Sequence, residues 1–211
     1  MPDLPVITLD EERHLYTVDG VARANVTSAL KILIEVEALD VFVDTTTHKH
    51  IPADMVRQAG GYGRAFHKGA AFIVNGKSIK YPPEMEDSFS ELRRWRKVEQ
   101  AVTVASEMRV YCPKLNVAGT LDWIGHLKRN DVLNLVDWKT SKYNLMVGPQ
   151  TWAYASGYRA MTGYKGVIKR WAWIYDKSKG EYKFVELTDD IGDEHEFRSR
   201  LFDYFWRRRL R

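Results

Sequence analysis

The order of segments predicts a mixed α/β fold, with a mixed central sheet flanked by helices. Three observations lead there. Residues 107–112, 117–124 and 132–138 are rich in β-branched and aromatic residues and are joined by short polar stretches, as in a three-strand meander. Ahead of them, Phe89, Leu92, Trp95 and Val98 recur at helical spacing. Behind them, Gly148-Pro149 opens another helix, since proline suits the first helical position, and a hairpin and a last helix follow. The 211 residues suit a single domain whose core needs no staples. Residues 1–50 read as an N-terminal appendage of β-hairpin and helix, and 51–211 as the main core.

Taken in order, the chain opens with two short strands, 6–9 and 14–18, set off by turn chemistry at Asp10-Glu11-Glu12 and Asp19-Gly20. A helix capped by Thr27 or Ser28 follows, with Ala29, Leu30, Ile32, Leu33 and Ile34 as its apolar positions. Residues 44–51 read as a loop. His48 and His50 in it have ligand chemistry but no third partner nearby, so they are expected in solvent. Helices are expected over 53–75, with a break at Gly60-Gly61, and over 84–106. After the meander, a helix is expected over 148–161. Strands 167–175 and 181–187 flank a turn at Lys177-Ser178-Lys179-Gly180, and a final helix covers 193–207.

The single cysteine, Cys112, excludes an internal disulfide, a multi-cysteine zinc site and a four-cysteine Fe–S cluster. It suits a reducing compartment. Residues 1–10 carry no basic segment followed by an apolar run, so no signal peptide is expected. No apolar run approaches the roughly 18 residues of a membrane span. The expectation is a cytoplasmic protein without a membrane partner. The net charge of +4, with basic clusters at Arg93, Arg94, Arg96 and Lys97 and at Arg207, Arg208, Arg209 and Arg211, permits a polyanionic partner without demanding one.

Asp122 and Asp137 are the most informative residues. In an antiparallel hairpin with its turn at Lys128-Arg129-Asn130-Asp131, the two aspartates stand directly opposite each other. Opposed side chains share one face with Cβ atoms roughly 5 Å apart, and like charges there repel. A divalent cation is the natural compensation. Lys139, two residues beyond Asp137, points to the same face, and Trp138 points to the other. Two carboxylates beside a lysine favour an oxygen-preferring ion such as Mg²⁺ or Mn²⁺.

Asp122 followed by Asp137-Trp-Lys139-Thr140 resembles the central signature of the RecB-like branch of the PD-(D/E)XK nucleases. That branch has a glycine and a histidine four apart on an upstream helix, where Gly63-Arg-Ala-Phe-His67 stands here. It has a glutamine and a tyrosine four apart on the helix after the lysine strand, where Gln150-Thr-Trp-Ala-Tyr154 stands here. The resemblance spans about 62–158, and residues 14–20 and 26–30 look like the opening of phage-borne members. The second acidic position is Asp137, where much of the superfamily has glutamate; the RecB-like branch commonly has aspartate.

The resemblance implies a restriction-endonuclease-like core and a metal-dependent deoxyribonuclease. It points to a phage-type exonuclease that processes DNA ends in replication or recombination. A structure-selective or flap endonuclease shares the same motifs, and a noncatalytic DNA-binding module on the same scaffold is a third reading. The implied cofactor is Mg²⁺ or Mn²⁺, as two ions, with no Fe–S cluster. His67, Asp122, Asp137 and the backbone carbonyl of Trp138 would hold the metal, and Lys139 would act on the attacking water. Gln150 and Tyr154 would contact DNA, and Arg64, beside His67 in the upstream motif, is a candidate phosphate contact. Glu107 and Tyr158 are further candidates. The implied partner is DNA, single- or double-stranded, with a free end. Relatives leave room for a homo-oligomer and for a recombination or replication partner protein.

Overall fold

The computed structural model describes residues 4–31, 33–36, 41–44, 49–140 and 145–209. The N-terminal part is a meander of β1 (Ile7–Asp10), β2 (Leu15–Val18) and β3 (Val21–Asn25). The third strand was not expected. The helix expected after it is one turn, α1 (Val26–Ala29), capped by the Asn25 side chain accepting from the Thr27 N–H, not by Thr27 or Ser28. Leu33 and Ile34, placed in that helix by their apolar character, begin β4 (Leu33–Val36), which pairs with β5 (Val41–Asp44) and β6 (His50–Pro52). These segments are dense in Val, Ile and Phe, and β propensity outweighs the weak helical pattern. Ile32 and His48 lie outside the described residues.

Helix α2 (Ala53–Val74) runs unbroken through Gly60-Gly61. Two glycines cost roughly 1 kcal/mol each in a helix. Burial of Phe66, Ala70, Ile73 and Val74 against the sheet offsets that cost. Helix α3 (Glu86–Val98) stops eight residues short of the expected end at Ser106. The chain reverses at Gln100, whose φ is 48°, and Val102-Thr103-Val104 starts a long strand, β7 (Val102–Cys112). Strands β8 (Val117–Leu127) and β9 (Asn130–Lys139) complete the meander. Helix α4 (Val147–Thr162) crosses over to β10 (Ile168–Asp176), which lies parallel to β9. A parallel pair requires such a crossover. β11 (Glu181–Leu187) pairs antiparallel with β10, and α5 (Asp190–Arg209) ends the fold.

The main sheet has the order β1-β2-β3-β8-β9-β10-β11, with β7 on β8. One face carries α4 and α5 over Leu121, Ile124, Leu133 and Leu135. The other carries α2 and α3, where Phe66, Phe89 and Trp95 meet Trp123, Val136, Trp138 and Trp173. The rings pack edge to face or stacked, with Trp95 5.2 Å from Trp138 and Phe66 5.4 Å from Trp173 between centroids. A mixed sheet with helices on both faces is the expected fold class, and it agrees with a restriction-endonuclease-like core.

Candidate active site

The strand register brings the acidic residues level. In β8 and β9, Trp123 lies opposite Val136, Ile124 opposite Leu135 and Gly125 opposite Asn134, the pairing that sets Asp122 level with Asp137. The turn itself differs from expectation. It is the two-residue Lys128-Arg129, closed by Leu127 opposite Asn130, and an irregularity between Gly125 and Leu127 absorbs the shift. On the other side of β8, Ser106 lies opposite Trp123 and Met108 opposite Leu121, which sets Glu107 level with Asp122. Glu107, Asp122 and Asp137 therefore form a row across three strands.

Backbone irregularity opens the sheet at this row. Glu107 has a φ of 49°, unusual for a non-glycine residue in a strand. Residues three apart normally face opposite sides of a sheet. Here Ala105 and Met108 pack on the same cluster, and so do Leu121 and Ile124. Both strands thus slip their alternation together. In addition, β7 occupies one edge of β8, and the other edge pairs with β9 from Trp123 onward but with β3 at Val117 and Ala118. Between these partners the edge is open, and the Asp122 carboxylate fills it by accepting from the Trp138 N–H at 2.8 Å.

His67, on α2, places Nδ1 3.0 Å from Asp122 Oδ1. One ligand atom from each of His67, Glu107 and Asp122 lies within 4.8 Å of the others. Lys139 Nζ stands 2.5 Å from Asp137 Oδ2. Asp137 is 1% exposed, and neither of its oxygens receives a well-aligned hydrogen bond despite this ion pair. Burial raises the Asp122 pKa, but the His67 charge and hydrogen bond, with Lys139 and the Trp138 N–H, outweigh it and leave it lowered. Burial lowers the His67 pKa, and Asp122 more than reverses that. Burial first, then the Asp122 charge, pushes Glu107 up to about 7, although its side chain as a whole stays exposed. Burial raises Asp137 to about 6 against the pull of Lys139.

This donor set fits a hard divalent cation. It offers carboxylate oxygens and one imidazole, and the buried, under-bonded Asp137 oxygens are a cost that a cation would relieve.

A second layer holds the lysine. Lys139 Nζ donates to Gln150 Oε1 at 3.2 Å, and Gln150 Nε2 donates to the Tyr154 hydroxyl at 3.0 Å. Gln150 is half-buried. Tyr154 is 3% exposed, so it stands behind Gln150 and not on a DNA-contacting surface. Its ring presses on Gly119, where an added Cβ would lie 2.6 Å from Tyr154 Cε1. Tyr158 is core, packed beside Tyr164. Arg64 is exposed, one turn before His67. Gly63 does not owe its identity to crowding, since a Cβ there would meet only Thr140 Oγ1 at 3.7 Å. Trp138 carries its carbonyl on the same strand edge as the N–H that meets Asp122.

Sequence reasoning gave Glu107 no firm place, and its level position opposite Asp122 follows only from the full length of β7. It missed Arg170 altogether. This buried residue donates to the Gly148 carbonyl, Asp193 and Asp190, tying the start of α4 to α5 and so fixing the helix that carries Gln150. No motif marks it.

No family model matches the chain, and no curated protein matches it. Among solved structures, the chain is similar to LHK-Exo in complex with dAMP. The identity is 13% and the TM-score 0.34, over 66% of this chain and 77% of that one.

Proposed function

We propose that this chain is a divalent-metal-dependent deoxyribonuclease of the PD-(D/E)XK class, acting on DNA from its ends as an exonuclease. The observation that carries the reading is the meeting of Asp122, Asp137, Lys139, His67 and Glu107 at an opening between strands. Buried like charges are costly. Retaining them at a gap in the sheet suits a site built for a cation and a phosphate.

Asp122, Asp137, His67 and Glu107 would hold Mg²⁺ or Mn²⁺, with the Trp138 carbonyl as a further oxygen. When bound, the cation polarises the scissile phosphate and lowers the pKa of a bound water. Lys139, held between Asp137 and Gln150, would orient the attacking water and meet the negative charge that grows on the phosphate oxygens. Gln150 fixes the lysine, and Tyr154 fixes Gln150. Arg64 offers a phosphate contact beside the site.

The test is a time course on end-labelled linear DNA, single- and double-stranded, with Mg²⁺ or Mn²⁺. The reading predicts stepwise shortening, abolished by EDTA and slowed roughly a hundredfold or more by Asp122→Ala or Lys139→Ala. Covalently closed circular single-stranded DNA should survive; its cleavage would reassign the enzyme as a structure-selective or flap endonuclease. Tight DNA binding without turnover in any divalent metal would leave only a binding module.

A further inference from the structure

A separate basic cavity lies where α2 and α3 end. It measures about 580 Å³, and Lys77, Ser78, Arg93, Arg96, Lys97 and Gln100 line it. Its described lining holds no acidic residue. Ile73, at its base, is six residues beyond His67, about 9 Å further along α2 and on another face of that helix.

The plain explanation is that these cations answer the negative ends of two helices. The magnitudes do not close. Each helix end is worth about half a negative charge. Glu86, 3.7 Å from Arg93, supplies one more. Four positive charges against about two leaves an excess of about two. The terminal carbonyls also need no help: Phe72, Ile73, Trp95, Arg96 and Lys97 already accept from backbone N–H groups in the turns that follow. Among the described residues, Lys77, Arg96 and Lys97 have no acidic partner. Arg96 lies against Gly76, whose φ is 74° and where a Cβ would meet Nη2 at 3.4 Å, and its Nε is buried without a hydrogen-bond partner.

We infer that this cavity binds backbone phosphates of a nucleic-acid strand, at a site apart from the carboxylate row. Arg96 presents a planar fork suited to phosphate oxygens, and Lys77 and Lys97 add point charges beside it. The cavity has room for one or two phosphates of a strand. The inference rests on the reading that the chain acts on nucleic acid, but not on its hydrolysing it.

The test is fluorescence anisotropy of a labelled single-stranded oligonucleotide in EDTA, over a series of KCl concentrations. Arg96→Gln with Lys97→Gln should weaken binding roughly tenfold and flatten the slope of log affinity against log salt by about 1.4, the share of two phosphates. Lys77→Glu, outside both helices, should weaken it in the same direction. Lys114→Gln with Lys165→Gln removes the same charge from exposed positions elsewhere and should leave both quantities near the wild type. Unchanged affinity and slope in the cavity variants, or an equal loss in the Lys114 and Lys165 variant, would overturn the inference. Inorganic phosphate that displaces the strand from wild type better than KCl of equal ionic strength, and not from the variant, would give the cavity to free phosphate instead. Because EDTA prevents turnover, an enzyme that binds as predicted but never cleaves sinks the hydrolytic reading and leaves this one standing.

Discussion

At the scale of single residues, two positions show how the site is tuned. Gly119 is needed because Tyr154 occupies the space a side chain would take, with Cε1 2.6 Å from an added Cβ. Gly119→Ala should cost about 1–3 kcal/mol through overpacking. It should also lower activity, because displacing Tyr154 releases Gln150 and then Lys139. Urea unfolding and a cleavage assay on the same variant check both effects. Glu107 carries the opposite trade. Its carboxyl sits beside Asp122, and burial and that charge both disfavour its ionised form. Glu107→Gln should therefore raise the metal-free protein's stability by roughly 1 kcal/mol at pH 8 while weakening metal binding. A melting temperature in EDTA that falls would contradict this.

At the scale of elements, the site depends on two strands parting and one helix being pinned. β8 exchanges β9 for β3 along one edge, and Asp122 answers the Trp138 N–H that the ladder leaves over. Arg170, 3% exposed, secures α4 against α5. Arg170→Met leaves the buried Gly148 carbonyl and the half-buried Asp193 carboxylate unanswered and should cost roughly 1–3 kcal/mol in urea unfolding. Arg170→Lys should recover only part of that, since a single ammonium cannot span the partners the guanidinium reaches. Full recovery by lysine would show that charge alone matters there.

At the scale of the whole molecule, the sequence spoke most clearly where periodicity and turn chemistry agreed. The late hairpin was legible on those grounds, and the start of α4 to within two residues, with Val147 and not Pro149 as its first residue; the Asp122/Asp137 register came out as expected although its turn is shorter than expected and an irregularity in β8 makes up the difference. The N-terminal helix was misread because Leu33 and Ile34 suit helix and strand alike, and pairing with a neighbouring strand decides between them. The end of α3 was misread because apolar spacing ran on past Val98, while Gln100 could reverse the chain without a glycine to announce it. Tyr154 was expected at a surface because a motif gives spacing, not burial. Arg170 was invisible because its partners come from two other segments, the starts of α4 and α5, that only the fold brings together. The central claim, that the acidic row with His67 is a cation site, is tested most directly by titrating the metal-free protein with Mn²⁺ and following the free ion by electron paramagnetic resonance. The account predicts saturable binding that Mg²⁺ displaces and that Asp122→Asn or Asp137→Asn abolishes. Wild-type protein that leaves the free Mn²⁺ signal unchanged, or variants that bind as well as the wild type, would contradict it.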